Sequence, residues 1–514
     1  VFQCRTAICR EENALVDVLL THSYHLYYDR KQVRKMQPYP PLGTLYAAAL
    51  LRQKGFSVAL FDSMLEDPAE GFPAALRRHQ PKVVAIYEDN FNFLSKMCLS
   101  RMREVAFGMV DAASLAGAKV VVHGSDSSDH PAEYLARGAD YVLVGEAEWT
   151  LLELVENLIT TSHREPANIP GLVFTRNCAG RVTRSPRRPL MRDLETLPFP
   201  ARDLIDVERY RDAWRKAHGF FSLNLVASRG CPFRCNWCAK PIYGDSFHAR
   251  APESVAEEMR QLHENFGADH LWFADDLFGI NNRWVQEFAL EVTKRNCAIP
   301  FKVQSRADLV SNDEAVPAFA KAGCVEVWMG VESGAQKILD AMEKGIRVGQ
   351  VLAARENLKR HGIRACFFLQ FGYPGETWTD IQKTIQLVRR SRPDDIGVSV
   401  SYPLPGTKFY QQVREELGAK SNWVDSDDLA MMFKGAYTTE FYRAVRNALH
   451  AEVESWGAAK EWQFSLRDRT VPTTNVSSDH VAELWNRVEQ LELTCRNSDA
   501  TQLPVLACAA MECD

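Results

Sequence analysis

Ser222-Leu-Asn-Leu-Val-Ala-Ser228-Arg-Gly-Cys231-Pro-Phe-Arg-Cys235-Asn-Trp-Cys238 is an apolar strand run that leads directly into three cysteines on one short loop. Thiolates so spaced can converge on a single metal centre, and cysteine is the usual ligand of iron–sulfur clusters. Three local thiolates on a four-iron cluster would leave one iron open to a substrate or cofactor. Zinc is the competing reading, and it wants a fourth ligand, for which His248 is the nearest donor downstream. Structural zinc sites usually pair two short C-x-x-C knuckles, and only one tight cluster is present here. Arg234 and Asn236 between the cysteines speak against three unrelated buried thiols.

Downstream of the cluster, strand and helix signals alternate. Strands are predicted at Leu271–Phe273, Phe301–Gln304, Val325–Met329, Ala365–Phe371 and Ile396–Ser401, separated by helical runs such as Glu253–Phe266 and Ala335–Met342. With Ser222–Ser228 these make six units of an incomplete βα barrel (a partial TIM barrel) over residues 221–415. Barrel chemistry collects at the carboxyl ends of strands. Residues 416–514 read as a mainly helical C-terminal segment, with Thr470–Asp479 loop-like.

Upstream, residues 1–165 show the same alternation. Strands are expected at Leu15–Leu20, Phe56–Phe61, Lys82–Tyr87, Lys119–His123 and Tyr141–Val144, and helices at Leu42–Gln53, Ala69–His79, a long stretch reaching Gly117, and Trp149–Ile159. That pattern predicts a doubly wound, flavodoxin-like parallel sheet, so the fold class is α/β. A ligand of such a sheet sits outside the strand carboxyl ends, in the loops Thr21–Pro41, Glu88–Phe93 and Gly124–Pro131. Residues 166–220, rich in Arg and Pro, read as a linker.

Composition narrows the function classes. A formal charge of -5 over 514 residues lacks the basic footprint of a nucleic-acid-binding body. No apolar run approaches the ~20 residues needed to span a bilayer. Val1–Leu20 carries Arg5, Arg10, Glu11 and Glu12, unlike a secretory signal. The thirteen cysteines are dispersed, as with Cys98, Cys324 and Cys366, which suits a reducing, cytoplasmic setting rather than a disulfide scaffold.

C-x-x-x-C-x-x-C with Trp237 before the last cysteine resembles the signature of radical S-adenosylmethionine (SAM) enzymes. The resemblance implies a 4Fe-4S cluster on Cys231, Cys235 and Cys238 whose fourth iron chelates SAM, and a 5′-deoxyadenosyl radical. It also assigns the strand ends in order. Asp275 and Asp276 fall near the methionine amine, although each also reads as a capping or ion-pairing residue. Arg306 of Gln304-Ser-Arg306 can reach a carboxylate with both arms of its fork. Glu332 and Ser333 fall in the region used for ribose and methionine, and Tyr373 of Phe371-Gly-Tyr373-Pro-Gly lies in a segment that commonly lines the adenine. Tyr402-Pro-Leu-Pro-Gly406-Thr407 ends the sixth strand.

The two halves together resemble the cobalamin-binding subgroup, which includes class B radical methyltransferases and the anaerobic magnesium-protoporphyrin monomethyl ester cyclase. Pro40-Pro-Leu-Gly43 and Asp140-Tyr-Val-Leu-Val-Gly145-Glu146-Ala-Glu148 carry that likeness, which makes residues 1–165 a cobalamin-binding domain. The D-x-H-x-x-G histidine motif is absent, as is usual in the subgroup, so His22 and His25 are not expected on cobalt. Gly124, Ser125 and Ser127, with Gly145 and Glu146, are the candidate contacts for cobalamin. The Gly124–Ser128 stretch also reads as a plain turn and helix start, with Ser128 or Asp129 as cap.

The resemblance implies methyl transfer through methylcobalamin to an unactivated carbon of a small-molecule substrate, with electrons from a donor such as flavodoxin or ferredoxin. A radical cyclase, oxidase or rearrangement catalyst on the same scaffold is the rival. A non-catalytic cobalamin or redox sensor is the rival of another class, against which an intact cysteine triad argues. Cys495, Cys508 and Cys513 are too loosely placed to suggest a second cluster, as a methylthio-transferring enzyme would need. Trp423, Trp456, Trp462 and Trp485 are candidates to line a pocket or simply fill the core. No catalytic residue is assigned from the sequence.

Overall fold

The computed structural model describes residues 15–97, 99–160, 165–176, 181–457 and 476–500. Cys98, Trp462, Cys508, Cys513 and most of Thr470–Asp479 lie outside them.

The first sheet is built from β1 (Val18–Thr21), β2 (Val58–Phe61), β3 (Val83–Tyr87), β4 (Lys119–His123), β5 (Tyr141–Leu143), β6 (Leu172–Arg176) and β7 (Arg181–Arg184). Its order is β2-β1-β3-β4-β5-β6-β7, with the first five strands parallel. Val83-Val-Ala-Ile-Tyr87 is buried at every position because helices cover both faces of a parallel sheet. The order reverses between β1 and β3, so their carboxyl ends diverge and open a crevice. The long helix expected to reach Gly117 is two helices, Phe93–Lys96 and Ser100–Leu115. At the break the backbone N–H of Ser100 is taken by the Trp423 carbonyl at 2.9 Å.

Residues 166–220 are more than the linker expected from the sequence. β6 and β7 form an antiparallel hairpin that extends the first sheet, and Val207–His218 is a helix. The edge strand β7 is mostly exposed and carries Arg181 and Arg184, charges that discourage pairing with another chain.

The second sheet follows. It begins at β8 (Ser222–Leu225); a short antiparallel pair, β9 (Ser228–Arg229) with β10 (His248–Ala249), brackets the cysteine loop. β11 (His270–Phe273), β12 (Phe301–Arg306), β13 (Cys324–Glu332), β14 (Arg364–Phe371) and β15 (Asp395–Val400) complete it. All six main strands are parallel in sequential order, β8 to β15, so the sheet is an open half-barrel. The helices between them bury one stripe each; Pro252–Glu264 buries Val255, Ala256, Met259 and Leu262.

Ser222–Ser228, expected as one strand, breaks after Leu225. Asp275 captures the Ala227 N–H at 3.0 Å and the Ser228 hydroxyl, diverting the chain toward the cysteines. The first domain packs along the β8 edge: Asn224 Nδ2 donates to the Pro40 carbonyl at 2.9 Å and Trp214 Nε1 to Pro38 at 2.6 Å. After β15 come helices Lys408–Val413, Thr439–Ser455 and Ser478–Ala500. Among the described residues no helix is long and apolar enough to cross a membrane.

Candidate active site

A cavity of about 1860 Å³ lies between the two sheets. Single-ligand pockets run to ~300–1,000 Å³, so this one has room for more than one molecule. One wall comes from the carboxyl-end loops of the first sheet: Tyr24, Asp89, Phe91 and Ser125 line it. The facing wall is the interior of the half-barrel together with Cys231, Cys235 and Cys238.

The cysteine loop is held from several sides. Asn236 donates from its backbone to the Met342 carbonyl at 3.0 Å and from Nδ2 to Ala341 at 2.6 Å, while its own carbonyl accepts from Phe409. Lys240 Nζ donates to the Cys231 carbonyl at 2.7 Å. Gly230, at φ +80°, lets the chain enter the loop: a Cβ there would lie 2.0 Å from the Ser246 carbonyl oxygen, so no other residue fits. Burial, then the neighbouring charges of Asp276, Cys235 and Cys231, pushes the Cys238 thiol up to about 12. The donor chemistry suits an iron–sulfur cluster: three thiols on the cavity wall, and no disulfide among them. His248, the fourth ligand that zinc would need, lies on β10 and off that wall. Among the described residues no three His, Cys, Asp or Glu side chains converge closely enough to hold a single metal ion.

Asp275, Asp276, Arg306 and Glu332 all line the cavity near this loop. Asp275 is occupied with Ala227 and Ser228, and burial raises its pKa to about 7. Asp276 pairs across the domains with Lys96. Arg306 does not extend a free fork: it grips Asp308 through Nε (2.9 Å) and Nη2 (3.1 Å), lies over the Phe233 ring at 3.7 Å, and approaches Cys235 Sγ at 3.9 Å. Glu332 sits at φ +61°, beside a register shift between β13 and β14. Such irregularities re-aim a side chain; here the carboxylate meets Lys344 Nζ at 2.8 Å inside the cavity wall.

Ser333 and Tyr373 are off the cavity. Ser333 Oγ accepts from the Ala335 N–H. Tyr373 donates to Asn236 and Ala341 and stacks on Phe409, so it braces the cysteine loop from behind. Nearby Glu376 is buried, accepts from the Gly372 N–H at 2.6 Å, and is pushed up to about 8 by burial. An acid whose folded pKa is raised loses stability as pH rises from its ordinary 4.5 to that folded value. Glu376→Gln is therefore expected to match the wild type in melting temperature near pH 4 and to exceed it above pH 8, in a calorimetric pH series. A constant difference across the series would refute a protonated Glu376.

On the cobalamin side, Ser125 faces the cavity, whereas Gly124, Ser127, Gly145 and Glu146 do not. Gly124 packs on Glu88, where a Cβ would come within 2.8 Å of its side chain. Ser127 and Ser128 hydroxyls return to the Gly124 carbonyl, closing a short helix, Ser125–Asp129. The Gly145 carbonyl accepts from His123 Nε2. Glu146 is buried against Arg229 at 2.7 Å and the Met191 N–H at 2.6 Å. Among the described residues, buried Ser125 Oγ, Asn90 Oδ1 and Ser95 Oγ have no hydrogen-bond partner, and of the three only Ser125 lines the cavity. Buried polar atoms seldom stay unpaired, so Ser125 is suited to a polar ligand entering the crevice. His22 and His25 are buried and engaged elsewhere. His22 bonds Asp62 at 2.9 Å; burial disfavours its charge, yet Asp62 holds its pKa above the ordinary value. His25 Nδ1 bonds the Ser63 carbonyl at 2.9 Å.

Sequence reasoning did not single out Arg229, Lys96, Lys344 or Lys302, each of which meets its partners across elements distant in sequence. Of the candidate tryptophans within the described residues, Trp423 lines the cavity; Trp456 and Trp485 pack under Arg392 and Arg389.

The Radical SAM superfamily model matches residues 225–388, and the B12 binding domain model matches residues 36–155. An uncharacterized methyltransferase of Pyrococcus horikoshii is 27% identical over 390 residues, 75% of this chain and 81% of that one. The anaerobic magnesium-protoporphyrin IX monomethyl ester cyclase of Rubrivivax gelatinosus is 24% identical, over 74% of this chain and 67% of its own. Among solved structures, the radical SAM methyltransferase TsrM of Kitasatospora setae, with cobalamin and a [4Fe-4S] cluster bound, superposes with TM-score 0.65 at 17% identity, covering 94% of this chain and 99% of that one. That likeness extends the shared fold over both halves.

Proposed function

We propose, from the premise that this chain combines a radical SAM region with a B12-binding domain, that it is a cobalamin-dependent radical methyltransferase acting on an unactivated carbon of a small molecule. The observation that carries this reading is the single cavity walled by the cysteine loop, the half-barrel strand ends and the crevice of the first sheet. Cys231, Cys235 and Cys238 would hold the 4Fe-4S cluster. Asp276 and Glu332 would offer carboxylates to the amino and ribose groups of SAM. Arg306 and Lys344 would hold the loop and Glu332 in place, and Asp275, Ser333 and Tyr373 would support them from behind. Ser125 would receive cobalamin, while Gly124, Ser127, Gly145 and Glu146 shape the crevice. When bound, the cluster supplies the electron that cleaves SAM, and cobalamin carries the methyl group. With cofactors and substrate filling the cavity between the domains, water would be kept from the reacting groups, which would suppress side reactions. We assign the protein to the cytoplasm, with reduced flavodoxin or ferredoxin as electron donor.

The test is anaerobic turnover of the loaded protein with methyl-deuterated SAM and candidate metabolites. A product carrying the labelled methyl group is expected in the mass spectrum. An unlabelled product with a new ring or lost hydrogens would favour the cyclase or oxidase reading instead. A second readout concerns the lower face of cobalt. Because His22 and His25 are committed to Asp62 and Ser63, the one-electron-reduced cobalamin protein is expected to show no protein nitrogen coupling in electron paramagnetic resonance. A coupling that disappears in His22→Ala or His25→Ala would overturn that assignment.

A further inference from the structure

The cavity does not stop at the cysteine loop. It continues along the inner face of the half-barrel to the amino ends of the strands, where Lys302, Glu326, Arg364 and Asp395 line it. On β12 the inward positions run Lys302, Gln304, Arg306, so Lys302 stands four residues below the cysteine end, ~13 Å at ~3.3 Å per residue. Between the two ends the wall is aromatic: Trp328 stacks on Phe368 with ring centroids 4.8 Å apart, and Trp272 faces the same space. Gly397 makes room for that stack, since a Cβ there would lie 3.0 Å from the Phe368 ring.

At the far end the cations outnumber the carboxylates. Arg364 is met by Glu326 at 3.3 Å, and Asp395 lies near Arg364 and Lys35. The Lys302 ammonium has no carboxylate within ion-pair distance among the described residues; it lies over the rings of Tyr39 and Trp272, at 5.5 and 5.8 Å, bonds the Tyr39 hydroxyl and feels Glu326 at longer range. Lys35, Arg215 and Lys216 also line the cavity, and Lys35 lies near Lys302, Glu326 and Asp395.

We infer that this arm is the substrate channel, and that it takes a flat, hydrophobic anion whose acidic group docks on Lys302. This rests on the reading of the cavity as the reaction chamber and adds the substrate class. The aromatic wall would hold the body by stacking. An acid on Lys302 would place a carbon on the order of 10 Å further along beside the cysteine-loop end, given the strand rise. The substrate would then enter from the amino ends of the strands, leaving the carboxyl ends to the cofactors.

The experiment measures binding to the cofactor-loaded protein without turnover, by titration with pyrenebutyrate and its uncharged counterpart, pyrenebutanol. A charged hydrogen bond contributes ~1.5–3 kcal/mol, so the acid is expected to bind about tenfold or more tightly than the alcohol. Lys302→Met is expected to erase that preference while leaving alcohol binding unchanged, and Lys302→Arg to keep most of it. Lys302→Gln reports the same loss if Met at 302 disturbs folding. Equal binding of acid and alcohol by the wild type, or a preference that survives both neutral variants, would overturn the inference. Because no methyl transfer is measured, its failure leaves the labelled-methyl assay to decide the reaction, and an unlabelled product in that assay leaves the binding result intact.

Discussion

Replacing Cys231, Cys235 and Cys238 together with Ala is expected to remove the iron and its visible absorbance and to reduce 5′-deoxyadenosine formation to background. The wild-type chain, reconstituted anaerobically, should hold about four irons, the complement of one 4Fe-4S cluster. The effect is all-or-none because, among the described residues, the cavity wall presents no other thiol to take over. Single replacements should differ in degree. Cys235 neighbours the Arg306 guanidinium, and its loss leaves that cation facing a gap. Cobalamin uptake should survive in the triple variant, since the crevice side of the cavity is built by another sheet. A triple variant that retains its full iron would sink the assignment. A wild-type protein that binds zinc tightly and no iron would favour a structural zinc site.

Arg229→Met is expected to destabilise the protein by about 3–5 kcal/mol, as removal of one partner from a buried ion pair does. Arg229 joins the halves: from β9, just before the cysteine loop, it bonds Glu146 at 2.7 Å and lies 2.8 Å from Glu148, at the end of the first sheet. The second contact is close but off-line for a hydrogen bond, so the attraction there is mainly Coulombic. Its guanidinium is packed among Tyr46, Phe91 and Tyr243, with ring centroids 5.1–5.4 Å away. Met fills the space but leaves two buried carboxylates without their cation. Lys keeps the charge and loses the fork, so Arg229→Lys should lose less. Urea unfolding measures the cost, and iron and cobalamin content measure whether the domain contact carries both cofactors. A change within ~1 kcal/mol would show that the clamp is dispensable, since that is the range of an exposed pair.

The parts of the fold legible in the sequence are those with local signals. Buried parallel strands read as continuous apolar runs, and Val83–Tyr87 and Lys119–His123 coincide with the observed strands almost to the residue. The β6–β7 hairpin escaped because its outer strand, Arg181-Val-Thr-Arg184, is a solvent-facing edge whose residues carry no apolar alternation. The break after Leu225 escaped because it depends on Asp275, which takes the N–H of Ala227 from 48 positions further along the chain. Ser333 and Tyr373 lie on the right strand ends, yet their direction is set by the turn after a register shift and by contact with the cysteine loop.

The sequence by itself determined the alternating α/β plan, the three thiols on one loop and the order of strand-end motifs after them. Each of these is written in neighbouring residues, through hydrophobic period or close spacing along the chain. Tertiary structure alone decided which polar groups face the cavity and which are spent on one another. Glu146 is a clamp because Arg229, 83 residues away, reaches it; Arg306 is committed because Asp308 and the Lys344 carbonyl surround it. Lys302 lines the cavity beside the Tyr39 ring and hydroxyl, with Glu326 at longer range, because packing brings no carboxylate within ion-pair distance of it among the described residues. A buried charge takes whatever partner the packing brings within hydrogen-bond distance, and that partner is fixed by how distant elements meet rather than by the residues beside it.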